Sequence, residues 1–234
     1  MAKYFINKSV HLCFTADCAI FLDLRSDRYI SLDSNSTDVL RRLLIGSDSD
    51  SSAESPLASE LMREGLLTTD RRLGVPFSPI VSVRPPTALL PEHHHWDPPR
   101  CSALDLLKLI VAYIAVRISL CRGVLYATAR ATRRNARIDG VTSHTRVSTH
   151  TSRECQLLQI FFQLRPLLFP SRDECLLNSL VLSEFFAMHA LRSQIIFAVK
   201  TSPFFAHCWV QRNGFVLNSR PELLGSLMPI MIVE

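Results

Sequence analysis

Prolines are concentrated in one stretch of this 234-residue chain, and they divide it in two. Seven of the 13 prolines lie between residues 76 and 99. Because proline fixes φ and has no amide hydrogen to donate, this density excludes a long helix and is typical of a connection between domains. The sequence therefore predicts a first domain over residues 1–75, a proline-rich linker over 76–100 and a second domain over 101–234.

Composition indicates a folded chain with an apolar core. Hydrophobic residues make up 47% of the chain and charged residues 20%. The most apolar stretch has no uncharged run longer than the eight residues 109–116, whereas a membrane-spanning helix needs about 20. The first residues do not resemble a signal peptide, and the seven cysteines include no C-x-x-C pair. We expect a cytoplasmic protein with reduced thiols and no membrane partner.

The net charge of +5 is unevenly distributed. Residues 1–75 carry nine Lys or Arg against eleven Asp or Glu, and residues 100–153 carry ten against two. The basic middle can attract a nucleic acid, an acidic peptide or a partner protein, although such runs are usually a solvated helix face. The slightly acidic first domain argues against binding to duplex DNA, which needs a basic face. We predict no nucleic-acid partner.

The first domain has the pattern of a small α+β module. Alternating apolar residues and turn signals predict strands over 10–15, 19–24 and 28–32. Two helices follow, one capped by Ser36 and ending at Gly46, the other capped by Ser55 with Pro56 first and ending at Gly65. An exposed sheet edge in such a module can accept an added peptide strand, and we expect Tyr29, Ile30 and Leu32 to contact that peptide.

The middle of the chain is predicted to be helical. Residues 101–134 indicate a long amphipathic helix or a helix pair, and 154–164 a further helix ending at Arg165–Pro166. One face of the first segment is apolar, and we interpret it as core; it comprises Leu104, Leu107, Val111, Ile114, Ile118, Cys121 and Leu125. Three consecutive histidines at 93–95 lie beside Asp97, but their side chains diverge and no second cluster has zinc-like spacing. We predict no metal site and no cofactor.

The residues after 170 carry the candidate chemistry. Ser171 or Asp173 can cap a helix with Cys175 in its first turn, where free amides and the helix dipole favour a thiolate. Strands are predicted over 195–200, 206–212 and 215–218, with a hairpin turn at Asn213–Gly214. His207 then begins one strand and Asn218 lies on the next. A helix-borne Cys, a strand-borne His and a polar residue that orients it are typical of papain-like and transglutaminase-like acyl transfer.

Two sets of motifs resemble known families. CLLNSL from Cys175, PFFAHCWV from Pro203 and GFVLN from Gly214 resemble the lasso-peptide leader peptidases, the B proteins of lasso-peptide biosynthesis. DRYISLDSNSTDVLRRLLIG followed by LASELMREGLL resembles the peptide-binding recognition element of enzymes that modify ribosomal peptides, a winged helix-turn-helix (PqqD-like) domain. A DNA-binding winged helix or a structural cap is the alternative for the second set.

The resemblance implies an α+β chain in which a recognition element precedes a transglutaminase-like, papain-like cysteine protease domain. It implies that the first domain binds the leader of a precursor peptide, and that Cys175 and His207 cut leader from core. An ATP-dependent asparagine-synthetase-like macrolactam cyclase is then the implied partner. Phe204 and Trp209 are expected to pack or to line the substrate groove. A non-catalytic precursor-binding scaffold and a transcription factor are the competing hypotheses.

This chain departs from the family at the third catalytic position. The family usually has Asp directly after the Asn, and here Ser219 follows Asn218. Either Asn218 or Ser219 can then orient His207, or activity is reduced. Taken singly, Cys175 can be an inert buried thiol and His207 a hydrogen-bonded core residue. Strand alternation predicts that Cys208 faces away from the site, and we assign His189, Cys155 and His150 structural roles.

Overall fold

The computed structural model of the protein describes residues 4–45, 55–78, 88–89, 101–139, 152–169 and 174–234. Two compact units are present. The first comprises Met1–Val83, Ala198–Ala206 and Met228–Met231, and the second comprises Arg84–Phe197, His207–Leu227 and Ile232–Glu234. The units are not contiguous chain segments, so the division into domains at residues 75 and 100 stays a prediction.

The first unit contains two small sheets and two helices in its described N-terminal part. Strands β1 (Phe5–Asn7), β5 (Leu67–Thr68) and β6 (Gly74–Val75) form one sheet with the order β5-β1-β6. The other is antiparallel with the order β2-β3-β4, formed by β2 (Val10–Phe14), β3 (Ala19–Asp23) and β4 (Arg28–Leu32). The three predicted strands are therefore confirmed to within one residue.

The helices of this unit are α1 (Ser34–Ile45) and α2 (Pro56–Arg63). The prediction that Ser36 caps α1 is wrong. The helix begins earlier, because Oδ1 of Asp33 accepts the amide hydrogen of Ser36 at 2.9 Å. A carboxylate at this position also suits the positive end of the helix dipole, and its hydrogen bonds with Ser36 hold the pKa of Asp33 below its usual value. Ser55 does occupy the cap position of α2, with Pro56 at the first turn.

The second unit begins, in its described part, with strand β7 (Ala88–Leu89) and the helices α3 (Ala103–Cys121), α4 (Val124–Asp139) and α5 (Ser152–Leu168). The predicted helix pair is confirmed, and the break between α3 and α4 falls at Gly123, whose φ is +106°. A positive φ is accessible to glycine because it has no Cβ. The predicted end of α5 at Pro166 is wrong, since the helix continues for two more residues.

The apolar stripe on α3 is exposed, which contradicts its interpretation as core. Its members at 104, 107, 111, 114 and 118 are 44–57% exposed. A second face, offset by one or two residues, is buried instead, and the helix packs mainly against a later helix of the unit, Cys175–Ala187. The buried face comprises Asp105, Leu109, Ala112, Val116 and Ser119. Both faces repeat with helical spacing. Small residues on the second face allow close approach of the helices, which periodicity alone does not reveal.

Two leucines on α3 test this assignment of faces. Leu109 is 0% exposed and Leu107 is 56% exposed. We expect Leu109→Ala to lower the free energy of unfolding by about 2–5 kcal/mol, because it removes buried methyl groups and leaves a cavity. We expect Leu107→Ala to change it by less than about 0.5 kcal/mol. Urea unfolding of the two variants gives both values. Equal losses in the free energy of unfolding would show that the apolar stripe is part of the core.

The site is built on the elements that follow α5 in the chain, some of whose strand residues belong to the first unit. These are α6 (Cys175–Ala187), β8 (Gln194–Thr201), β9 (Phe204–Arg212), β10 (Phe215–Val216), α7 (Pro221–Leu224) and β11 (Met228–Val233). The sheet has the order β11-β8-β9-β10-β7, with β10 antiparallel to β9 and parallel to β7. Every residue of α6 from Leu177 to Ala187 is buried, so this helix is the centre of the unit.

None of the helices in the described ranges is long and apolar enough to cross a membrane. Several predictions fall outside those ranges: most of the linker at 76–100, with the histidines at 93–95 and Asp97, and His150.

Candidate active site

Cys175 is the first residue of α6, in the turn where the sequence predicts it. Glu174 occupies the cap position without a side-chain hydrogen bond to the helix. Ser171 and Asp173, the predicted caps, lie outside the described residues. Cys175 is only partly buried, in contrast to the helix positions from Leu177 onward, which are buried. It therefore combines access to solvent with the unpaired amides of a helix N-terminus.

His207 is carried by β9, and a tight turn fixes the strand that follows it. Asn213 and Gly214 have φ values of 51° and 83°, as the predicted Asn-Gly hairpin turn requires. Strand β10 ends at Val216, two residues earlier than predicted. The side chain of Asn218 takes over from the strand as hydrogen-bond partner of β9, since its Oδ1 accepts the amide hydrogen of Val210 at 2.7 Å.

This early end of β10 opens the edge of β9 to the nucleophile. Amides two residues apart on a strand point to the same side, so the amide of Cys208 points to the side that Asn218 serves at Val210. With no strand residue there, the amide of Cys208 donates to Cys175 instead. The sulfur of Cys175 thus lies against the main chain of β9, beside His207 and Cys208.

The surroundings of Cys175 stabilise its thiolate. A hydrogen bond from the side chain of Cys208 is the largest influence, and burial opposes it. A hydrogen bond from the side chain of His207, the amide of Cys208 and the charge of His207 add to the first effect. Together they lower the pKa of Cys175 to about 4. A thiol with that pKa is ionised at neutral pH, and the thiolate is the nucleophilic form.

Ser219, not Asn218, contacts the imidazole. Nε2 of His207 lies 2.8 Å from Oγ of Ser219, which leaves Nδ1 as the ring nitrogen available to Cys175. Asn218 is occupied elsewhere, because its Nδ2 donates to Oγ of Ser179 at 3.0 Å and its Oδ1 accepts from Val210. Of the two residues that could orient His207, the geometry therefore favours Ser219.

Strand alternation led us to expect that Cys208 faces away from the site, and this expectation is wrong. Its side chain is 3% exposed and forms a hydrogen bond with Cys175. Ser179, one helical turn after Cys175, holds it in place by donating to the carbonyl oxygen of Cys208 at 3.2 Å. The expectation failed because Cys208, although it follows His207 directly on β9, interacts with both Cys175 and Ser179 of α6.

The predicted substrate-binding residues are spread over both units. In the second, Trp209 is 2% exposed and stacks on His207 with ring centroids 6.2 Å apart, so it supports the imidazole. In the first, Phe204 is 53% exposed and meets Tyr29 at 5.6 Å. Ile30 and Leu32 pack against the core of that unit, which leaves the main chain of β4 rather than these two side chains at the sheet edge.

Two other groups from the sequence lie away from Cys175. His189 is near Asp105 at 3.6 Å and Lys108 at 3.5 Å, and burial lowers its pKa. Cys155 is buried, which raises the pKa of its thiol, as does the neighbouring Glu154. Sequence reasoning missed Ser179 and Cys208 as parts of the site. The signal for Ser179 was its position four residues after Cys175, on the same face of the helix.

A comparison with protein families identifies this part of the chain. The model of the transglutaminase-like superfamily matches residues 112–232, more than half of the 234 residues. The chain belongs to the transglutaminase-like superfamily. No curated protein and no solved structure matches it.

Transglutaminase-like superfamily members are generally cysteine peptidases or transglutaminases. The matched region contains Cys175, His207 and Ser219. The protein is therefore a mixed helix and sheet structure whose C-terminal part is a transglutaminase-like domain. Cysteine-dependent chemistry of this type acts by acyl transfer through a thioester, with His as the proton carrier.

Substitutions at the third position of this transglutaminase-like site test the role of Ser219. Ser219→Ala removes one hydrogen bond to His207, and we expect kcat/KM to fall by about tenfold. Ser219→Asp supplies a charged partner, and we expect a gain of similar size. Asn218→Ala serves as the comparison. Initial rates of cleavage for the three variants decide the matter, and an unchanged rate in Ser219→Ala together with no gain in Ser219→Asp would show that Ser219 does not orient His207.

Proposed function

We propose that this protein is a leader peptidase of lasso-peptide biosynthesis, which cleaves a ribosomal precursor peptide between its leader and its core. The observation that carries the proposal is the contact of the Cys175 thiolate with His207, whose other ring nitrogen is held by Ser219. Membership of the transglutaminase-like superfamily supports a thiol-dependent reaction. The sequence resemblance supplies the substrate class.

In the first half of the reaction, the thiolate of Cys175 attacks the carbonyl carbon of the junction between leader and core. The tetrahedral oxyanion is stabilised by backbone amides near the N-terminus of α6. When the intermediate collapses, the C–N bond breaks and His207 donates a proton to the leaving amine of the core. The leader is then bound to Cys175 as a thioester, and the core peptide leaves with a free N-terminus.

In the second half, water attacks the thioester carbonyl. His207, now neutral, accepts a proton from the water and the sulfur leaves as the thiolate. The low pKa of Cys175 favours this step as well as the first, since a stabilised thiolate is a better leaving group. The products are the leader with a free carboxylate and the regenerated enzyme.

The first unit offers an edge at which a leader can bind as an added strand. Among the described residues, β4 is the last strand of the sheet β2-β3-β4. A peptide that pairs with such an edge gains main-chain hydrogen bonds, with side-chain contacts giving specificity. Tyr29 and Phe204, which are in ring contact, are the aromatic groups of this unit that the proposal assigns to leader contact.

The released core carries the amine that forms the macrolactam. The proposed partner is therefore an ATP-dependent asparagine-synthetase-like cyclase, which activates a side-chain carboxyl of the core and joins it to that amine. This partner needs the free amine, so cleavage must precede or accompany cyclisation.

The test is digestion of the precursor by the purified full chain, followed by mass spectrometry. Without the cyclase we expect two fragments whose masses sum to that of the precursor plus one water. With the cyclase and ATP, ring closure removes that water from the core, so the masses of leader and cyclised core should sum to that of the precursor. A non-catalytic scaffold is the second candidate, because Ser219 lacks the charge of the usual Asp. Binding of the precursor with no fragment under either condition would support the scaffold and end the peptidase proposal.

A further inference from the structure

Cys208 is a buried thiol that the proposed mechanism does not use. It is 3% exposed on β9 and lies between two groups of α6, Cys175 and Ser179. Its Sγ is 3.8 Å from Oγ of Ser179, and it also shares a side-chain hydrogen bond with Cys175. A buried cysteine of this kind is normally a small apolar filler, but this one is in contact with the candidate nucleophile.

A thiol has one proton to donate, so at any moment Cys208 donates mainly to one of two acceptors, Oγ of Ser179 or Sγ of Cys175. The hydroxyl of Ser179 already accepts from Asn218 and donates to the carbonyl oxygen of Cys208. The thiolate of Cys175 is the stronger acceptor because it carries a full negative charge. We therefore expect the S–H of Cys208, which lies within donating distance of Oγ of Ser179, to turn to Cys175 whenever Cys175 is ionised.

The same contact keeps the proton on Cys208. Its hydrogen bond to Cys175, its burial and the negative charge of Cys175 all raise the pKa of Cys208 well above the usual value. Cys208 thus stays a neutral donor over the pH range in which Cys175 is a thiolate. The two thiols act as a matched pair in which one is ionised and the other is not.

We propose that Cys208 is a positioning residue for the nucleophile, and that its S–H holds the thiolate of Cys175 in place by a hydrogen bond. Ser179 and Asn218 are the supports of Cys208: Ser179 holds its carbonyl oxygen, and Asn218 holds Ser179. This gives Asn218 a role in the site although it does not contact His207. As a statement about catalysis, the proposal rests on the proposed peptidase function.

The pH dependence of alkylation at Cys175 tests this pair without any substrate. Full-length protein in reductant is treated with iodoacetamide between pH 3.5 and 9, and labelling of the Cys175 peptide is measured by mass spectrometry. In the wild type we expect the labelling rate to rise with pH with a midpoint near the pKa of about 4. In Cys208→Ala, with one donor removed, we expect the midpoint to rise by about one pH unit.

Two further variants make the result specific. Cys208→Ser keeps a donor at the same place, so its midpoint should stay closer to the wild type than that of Cys208→Ala. Cys155→Ala removes another buried thiol of the same unit and should leave the midpoint unchanged. An unchanged midpoint in Cys208→Ala, or equal shifts in the Ala and Ser variants, would overturn the proposal.

A third variant covers the case in which neither Cys208 variant folds. Asn218→Ala releases Ser179 and should shift the midpoint in the same direction by a smaller amount; no shift would then overturn the proposal. If the protein is not a leader peptidase, the alkylation and cleavage experiments give different outcomes. A shifted alkylation midpoint in Cys208→Ala together with no precursor cleavage by the wild type would keep the thiol pair and discard the leader peptidase.

Discussion

Cys175→Ala is expected to abolish cleavage of the precursor, with kcat/KM reduced by more than about a thousandfold. The reason is chemical, because the proposed reaction passes through a thioester on this sulfur and an alanine methyl cannot form one. Leader affinity should remain that of the wild type. The proposed leader-binding strand belongs to the first compact unit, whereas Cys175 belongs to the second.

Two measurements on the same preparation make this result informative. Fragment formation is followed by mass spectrometry, and binding of a fluorescently labelled leader by anisotropy. Cys155→Ala is the matched control, since it removes a buried thiol from the same unit and should leave both quantities unchanged. Cleavage that persists in Cys175→Ala would end the assignment of Cys175, whatever the binding shows.

The sequence predicted the parts of the fold that local chemistry decides. Strands β2, β3 and β4 follow from alternation and turn residues, and the hairpin around Asn213 and Gly214 follows from a dipeptide that readily adopts positive φ. The position of Cys175 in the first turn of its helix has the same local origin. By contrast, the two- and three-residue strands β1, β5 and β6 are too short to leave a pattern and exist only by pairing with one another.

The choice of buried face on α3 was beyond sequence reasoning. Residues on both faces repeat at helical spacing, and the larger side chains lie on the exposed face. Close packing against α6 instead selected the face with Ala112 and Ser119, because helices approach more closely over small side chains. Hydrophobicity identified an amphipathic segment here, but the shape of the neighbouring helix decided its rotation.

For the site, too, the sequence predicted which elements carry the residues but not which side chains are in contact. The order of Cys175, His207 and Asn218 in the chain predicted that a helix and a hairpin carry the chemistry. The partner of His207 depends on where β10 ends, since Asn218 completes the edge of β9 at Val210 and so leaves Ser219 to the imidazole. That end point is a matter of one or two residues in a short strand, which sequence patterns do not resolve.

His207→Gln is expected to reduce kcat/KM by about a thousandfold, within the range of about 10² to 10⁴ that a positioned acid or base contributes. Glutamine can still form a hydrogen bond with Ser219, but it cannot deliver a proton to the leaving amine. The variant therefore separates proton transfer from simple orientation. The hydrogen bond and charge that His207 supplies to Cys175 are also changed, so the pKa of Cys175 should rise and the alkylation midpoint should move to higher pH.

His189→Gln is the control, because His189 is a buried histidine of the same unit that contacts Asp105 and Lys108. It should cleave the precursor at the wild-type rate and keep the wild-type alkylation midpoint. Full activity in His207→Gln would show that another group protonates the core amine. A loss of activity with an unchanged midpoint would show instead that His207 acts on the substrate but not on Cys175, so that the low pKa of the thiol depends on Cys208 and on the amide beside it.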